Sequence, residues 1–124
     1  MSEKSVLIVD DERMIREYFT SVLENYDLAV TSVGSGEEAL TELEKAHFDL
    51  VISDIQMPGM SGVDLTRRIR ETNPGIPILL ITGAAPEEMI AEGTSQGTYF
   101  LRKPMSVQEI MRAVEMILNI KPPG

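Results

Sequence analysis

Val6-Leu7-Ile8-Val9 runs straight into Asp10-Asp11, and Leu50-Val51-Ile52-Ser53 runs into Asp54. A short apolar run closed by an acidic residue reads as a buried parallel strand whose C-terminal tip carries a carboxylate. Strand tips are where open α/β sheets bind their ligands, so the three aspartates are expected to converge. Like charges at one spot are unfavourable unless a cation or a proton relieves them. The pattern therefore predicts a divalent-metal site.

Outward from these two runs, apolar segments alternate with helical periodicity along the whole chain. The strands are expected at Val6 to Val9, Leu28 to Val33, Leu50 to Ser53, Ile78 to Ile81 and Tyr99 to Leu101. Between them, Ile15, Tyr18, Phe19, Val22 and Leu23 form one helical stripe, Ala39, Leu40 and Leu43 a second, and Val63, Leu65 and Ile69 a third. Val107, Ile110, Met111, Val114 and Leu118 share a face of the last helix. Ser35 with Glu38 and Ser106 with Glu109 match the capping box, Ser61 with Asp64 nearly does, and Pro86 suits a first helical position. The helix beginning at Pro86 is expected to be short and frayed, because Gly93, Thr94 and Gly97 fall where it should finish.

Five βα units joined by right-handed crossovers give an α/β fold, a doubly wound five-stranded parallel sheet covered by helices on both faces. In the flavodoxin-like strand order 2-1-3-4-5, strands 1 and 3 flank the switch point, and a crevice opens at their C-terminal ends. That geometry collects Asp10, Asp11 and Asp54 with Thr82, which follows strand 4, and Lys103, just beyond strand 5.

Composition narrows the function classes. A chain of 124 residues is one domain by size and can bury a real core. It has no cysteine, which excludes disulfides, thiolate zinc sites and cysteine nucleophiles. No apolar stretch approaches the length of a membrane span, and Met1-Ser2-Glu3-Lys4 enters a strand without a signal-peptide core, so a cytoplasmic protein with no membrane contact is expected. A net charge of -9 repels a phosphate backbone and argues against direct nucleic-acid binding. The single histidine, His47, precedes strand 3 and so lies at the opposite end of the sheet from Asp54. Gly34-Ser35-Gly36 lacks the lysine and spacing of a phosphate-binding P-loop and reads as a turn and helix cap. Arg67, Arg68 and Arg70 read as solvated charge, and Met14, Met111 and Met116 as core or helix-face residues.

Four segments together carry a family resemblance. Leu7-Ile8-Val9-Asp10-Asp11, Asp54-Ile55-Gln56-Met57-Pro58-Gly59-Met60-Ser61-Gly62, Leu80-Ile81-Thr82-Gly83 and Phe100-Leu101-Arg102-Lys103-Pro104 resemble the receiver domain of two-component response regulators, the CheY-like family. Each residue has an ordinary reading when taken alone. Asp10 or Asp11 could cap a helix, Asp54 could form a turn, Thr82 could simply end a strand, and Lys103 could snorkel at the surface. Four such coincidences at one end of one sheet are a poor account of the pattern.

The resemblance implies a receiver domain over residues 1–120, with 121–124 a tail or the start of a linker. It implies that Asp54 accepts a phosphoryl group, and carboxylate chemistry agrees, since a carboxylate can act as a nucleophile toward phosphorus. It further implies a Mg²⁺ site, with Mn²⁺ as an alternative, formed by Asp10, Asp11, Asp54 and the backbone carbonyl of Gln56. Lys103 and Thr82 would hold the phosphoryl oxygens. Thr82 and Phe100 would form the switch, with Ala84 leaving room for their motion, and the output face would comprise the fourth expected helix, strand 5 and the last helix. The implied partners are a sensor histidine kinase or phosphotransfer protein, a downstream effector or covalently linked output domain, and a second copy in a phosphorylation-dependent homodimer. On this reading the chain is not an enzyme beyond self-phosphorylation and autodephosphorylation. The family often has a cis bond at the lysine-proline step, so one is expected at Lys103-Pro104. The chain departs from the family pattern at Gln96-Gly97-Thr98 and at Met105, positions that bear on the output face.

Two other classes compete. A Mg²⁺-dependent phosphohydrolase with an aspartate nucleophile would need a second aspartate two residues after the first, and Glu12 and Arg13 do not supply it. A pseudo-receiver serving only as an interaction module would have no use for the intact Asp10, Asp11, Asp54, Thr82 and Lys103 set.

Overall fold

The computed structural model describes residues 3–83 and 97–123. Five strands, β1 (Lys4–Val9), β2 (Leu28–Val33), β3 (Leu50–Asp54), β4 (Ile78–Thr82) and β5 (Thr98–Arg102), form one sheet in the order β2-β1-β3-β4-β5. Every pairing is parallel, and the register sets Val9 beside Ser53, Asp54 beside Ile81 and Thr82 beside Arg102. The order reverses between β1 and β3. That is the expected switch point, with both aspartate-bearing tips side by side.

Four helices are seen among the described residues: α1 (Arg13–Leu23), α2 (Gly36–Lys45), α3 (Gly62–Thr72) and α4 (Val107–Leu118). The period of two along each strand divides the core into two layers. Val6, Ile8, Leu50, Ile52, Leu79 and Ile81 point to one face, where Phe19, Val22 and Leu23 of α1 and Ile110, Val114 and Leu118 of α4 pack on them. Leu7, Val9, Val51, Ile78 and Leu80 point to the other, against Ala39 of α2 and Leu65 and Ile69 of α3. Because β3 and β4 are buried on both faces, they read as unbroken apolar runs.

The caps follow their local chemistry. Ser61 with Asp64 and Ser106 with Glu109 both make the full reciprocal box, so the near match at α3 is complete. At α2 the box is half made: the Ser35 hydroxyl accepts from the Glu38 amide, while the Glu38 carboxylate accepts from Gly34. At α1 no side chain caps the helix.

Several side chains depart from the burial that the periodicity implies. Tyr18 and Val107 lie at the edges of their stripes and are exposed, as are Met14 and Met116, while Met111 is partly buried against the core. Tyr18 instead sets its ring edge-on to Phe19. Arg67 and Arg68 are exposed, but Arg70 is not solvated charge. Its guanidinium donates to the carbonyls of Pro74, Ile76 and Gly97 and to the Thr98 hydroxyl, which pins the start of β5 to the end of α3. Lys103-Pro104 is cis, as expected. The helix expected to begin at Pro86 and the Ala84 position fall outside the described residues.

Candidate functional site

The tips of β1 and β3 bring two buried carboxylates together. Asp10 is 4% exposed and Asp54 6%, whereas Asp11, one residue on, faces solvent. Asp10 continues the β1 ladder by donating its amide to Val33, and one of its carboxylate oxygens accepts the Glu12 amide at 2.9 Å, turning the chain into α1. Arg16 reaches back from α1 to donate to the Asp10 carbonyl at 2.6 Å.

Both oxygens of Asp54 are engaged. Oδ1 accepts the Gln56 amide at 3.0 Å, and Oδ2 accepts the Lys103 ammonium at 2.8 Å. Lys103 reaches that position because β5 ends beside β4, where its amide donates to the Thr82 carbonyl at 2.8 Å. Thr82 is buried at the tip of β4. Phe100 lies one turn of the pleat back along β5, opposite Leu80, and packs partly buried on the layer formed with α2 and α3.

The electrostatics are those of too many carboxylates for one cation. Burial pushes the Asp10 carboxyl up to about 6. The Glu12 amide opposes that rise, the charges of Asp54 and Asp11 add to it, and Lys103 lowers it slightly. Lys103 is raised as well, but for a different reason: its hydrogen bond to Asp54 lifts it above the ordinary lysine value, against the effect of burial. Among the described residues no three acidic or histidine side chains form a ready-made metal cage. The donor set is all oxygen, two of the carboxylates are buried and mutually repelling, and Asp11 is open to water. Such a partial set suits Mg²⁺, which keeps several waters and takes few protein ligands.

Close approach of backbone shapes the loop after Asp54. The Gly62 amide donates to the Ile55 carbonyl at 2.8 Å, and a Cβ at Gly62 would lie 2.8 Å from Ile55 Cα and closer still to the Asp54 carbonyl oxygen. Only a glycine lets α3 begin so near the acidic tip.

The family model described as "Response regulator receiver domain" matches residues 6–115. The chain belongs to this family. Among curated proteins, the receiver domain is 34% identical over 116 residues to the probable transcriptional regulatory protein TcrX of Mycobacterium tuberculosis, covering 93% of this chain and 50% of that protein. It is 33% identical over 119 residues to the transcriptional regulatory protein ResD of Bacillus subtilis, covering 95% and 49%. The chain thus spans about half the length of these relatives. Among solved structures, the chemotaxis protein CheY4 of Vibrio cholerae superposes with a TM-score of 0.86 at 31% identity, covering 94% of this chain and 100% of that one. A CheY-like receiver domain protein of Methanospirillum hungatei superposes with a TM-score of 0.87 at 27% identity, covering 95% of each chain.

Members of the receiver family act with histidine kinases and output effector domains and generally bind Mg²⁺ at the acidic pocket. Asp10, Asp54, Thr82 and Lys103, singled out from sequence, all lie at one end of the sheet, and Asp11 and Gln56 adjoin them. His47 sits at the other end, exposed, with its Nε2 3.1 Å from Asp49. No helix among the described residues is long and apolar enough to cross a membrane. Sequence reasoning overlooked Arg16, and its only signal was a basic residue between the buried-side positions Ile15 and Phe19.

Proposed function

We propose that Asp54 is the phosphoacceptor of this receiver domain, taking a phosphoryl group from a phosphohistidine of a kinase or phosphotransfer protein. The observation that carries the reading is the buried Asp54 carboxylate, held at Oδ1 by an amide and at Oδ2 by an ammonium. Two fixed donors orient the nucleophile without a base, and a carboxylate needs none. In the transfer, an Asp54 oxygen bonds to phosphorus as the donor's P–N bond breaks, and the donor imidazole carries away the electron pair.

Asp10, Asp11, Asp54 and the Gln56 carbonyl would hold Mg²⁺, or Mn²⁺ in its place, and the metal would supply positive charge toward the phosphoryl oxygens. Lys103 neutralises Asp54 in the resting pocket. Once the phosphoryl group is attached, its ammonium is placed to hold a phosphoryl oxygen, and the Thr82 hydroxyl to donate to another. Thr82 and Phe100 sit on adjacent parallel strands, and this neighbourhood supports a switch in which Thr82 moves toward the phosphoryl group and Phe100 repacks. The output surface would then include β5 and α4 together with residues outside those described. We further read residues 1–120 as the receiver unit and 121–124 as tail or linker, in a cytoplasmic protein. Its partners would be a histidine kinase or phosphotransfer protein and an effector or linked output domain, with phosphorylation-dependent homodimerisation as an added output. Its own catalysis would be limited to self-phosphorylation from small donors and autodephosphorylation.

The test is incubation with Mg²⁺ and acetyl phosphate, read by intact mass. One base-labile phosphoryl adduct is expected, absent in Asp54→Asn and absent when the metal is chelated. A wild-type protein that shows no adduct under saturating donor overturns the reading. Multiple turnover of small phosphate esters would overturn it in favour of a hydrolase.

A further inference from the structure

We propose that Gly36, the first residue of α2, is a positioning residue for the acceptor loop, because its missing side chain forms the seat for Met60. The inference rests on the phosphoacceptor reading, since it assigns Gly36 a part in placing the Gln56 carbonyl beside Asp54.

Gly36 is buried behind the Ser35 cap. A Cβ built there would lie 2.7 Å from Met60 Sδ and 3.1 Å from both Met60 Cβ and Cγ. The sulfur could swing aside, as the far end of a flexible chain can. The Met60 Cβ cannot, because it is fixed to the backbone between Asp54 and α3. Glycine also runs against local propensity at a helical position, where alanine is better by up to about 1 kcal/mol, so its presence here has a packing reason.

Met60 lies in the loop that carries Gln56. That loop is tied to β4 by the Ile55 amide on the Ile81 carbonyl at 3.0 Å. It is tied to α3 by the Gly62 amide on Ile55, and to the acceptor itself by the Gln56 amide on Asp54 Oδ1. Ile55, Met57 and Met60 all pack on the layer formed with α2 and α3. Met60 on Gly36 adds the tie to α2. The short segment has its ends fixed at Asp54 and Gly62, so a push on Met60 is taken up between them, where the Gln56 peptide lies. A methyl group at position 36 would act on the metal-facing carbonyl from across two elements.

The test compares wild type, Gly36→Ala, Met60→Ala and the double variant by amide NMR, first metal-free and then through a Mg²⁺ titration. In metal-free Gly36→Ala, the amides of Ile55, Gln56 and Ser61 should shift while those of β5 stay in place. Its Mg²⁺ dissociation constant should rise about tenfold, the low end of losses seen when a group that orients metal ligands is changed. In the double variant the contacts to Met60 Sδ and Cγ are gone and only the 3.1 Å contact to Cβ is left, so most of the Gly36→Ala defect, but not all of it, should disappear relative to Met60→Ala alone. A folded Gly36→Ala with the wild-type constant and an unmoved Gln56 amide overturns the proposal. So does a double variant that keeps the full Gly36→Ala defect. If Gly36→Ala does not fold, Met60→Ala carries the test: the emptied seat should shift the same amides and weaken Mg²⁺ binding, and wild-type values for both overturn the proposal. The wild-type acetyl phosphate adduct is read separately, so that failure of the acceptor reading is distinguishable from failure of this one.

Discussion

Replacing Asp10 with asparagine should stabilise the metal-free protein at neutral pH. The Asp10 carboxyl titrates at about 6 in the folded chain, against 3.8 as its ordinary value, chiefly because burial penalises its charge. A folded-state value above the unfolded one means the native protein holds the proton more tightly. Well below pH 3.8 both states are protonated and nothing is lost. As pH rises through the window from 3.8 to about 6, the unfolded chain releases its proton first and stability falls. Above the window the full penalty applies, about 3 kcal/mol at 1.36 kcal/mol per unit. Asparagine keeps the shape and retains an oxygen for the Glu12 amide, but it carries no charge.

The assay is thermal or urea unfolding of both proteins in chelator, from pH 4 to pH 7.5. The gap should open from near zero at the acid end to as much as about 3 kcal/mol, roughly 10 °C in Tm for a chain of this size. Lys103 loses an attractive neighbour in the variant, which trims that figure. Mg²⁺ at about a hundred times its Kd should return about 2.7 kcal/mol to the wild type and narrow the gap. An Asp10→Asn protein that is less stable at pH 7.5 refutes the reasoning. A gap of equal size at both ends of the range also refutes it, since packing and not charge would then be responsible.

Three further outcomes follow from the same geometry. Gly62→Ala sets a methyl group against backbone that cannot swing away, 2.8 Å from Ile55 Cα and nearer still to the Asp54 carbonyl oxygen, and should cost about 2 to 3 kcal/mol in urea unfolding. Lys103→Met removes the cation from buried Asp54; with the lysine side chain 41% exposed, the loss should be about 1 to 2 kcal/mol at pH 7, with phosphoryl adduct formation slowed at least about tenfold by intact mass. Arg70→Met leaves the carbonyls of Pro74 and Ile76 without their guanidinium donor and Gly97 with only the Ile78 amide, and should cost about 2 kcal/mol, with hydrogen exchange accelerating at Thr98 and Tyr99 ahead of the β1 amides.

What the chain discloses before folding divides along a physical line. Buried strands declare themselves because both faces are apolar, so β1, β3 and β4 were legible to within two residues, and the acidic tips went with them. Helix faces were legible in their centres but not at their edges, where Tyr18 and Val107 keep the period yet turn to solvent. Contacts that span elements leave no periodic trace. Nothing near Arg70 in sequence shows that its guanidinium would close onto Gly97, and nothing near Gly36 shows that Met60 would lie over it. The same limit hid the partner of Asp54. Lys103 could be placed at the correct end of the sheet from strand order, but the 2.8 Å contact depends on where the chain turns after Arg102.

The resting pocket fixes the Asp54 carboxylate, the proposed nucleophile, and leaves a demand for positive charge beside it. Lys103 is spent on Asp54 Oδ2, and Asp10 is left buried with Asp54 and Asp11 as like-charged neighbours. A proton or a divalent cation can meet that demand, and the two compete. If Asp10 must be ionised to hold the metal, then each pH unit below about 6 should cost roughly tenfold in Mg²⁺ affinity. In Asp10→Asn that proton competition should disappear, leaving a weaker site whose affinity is flat from pH 5 to pH 7. A Mg²⁺ titration across that range decides the matter. A wild-type affinity that does not fall below pH 6 would mean that Asp10 is a bystander to the metal and only Asp11, Asp54 and Gln56 engage it.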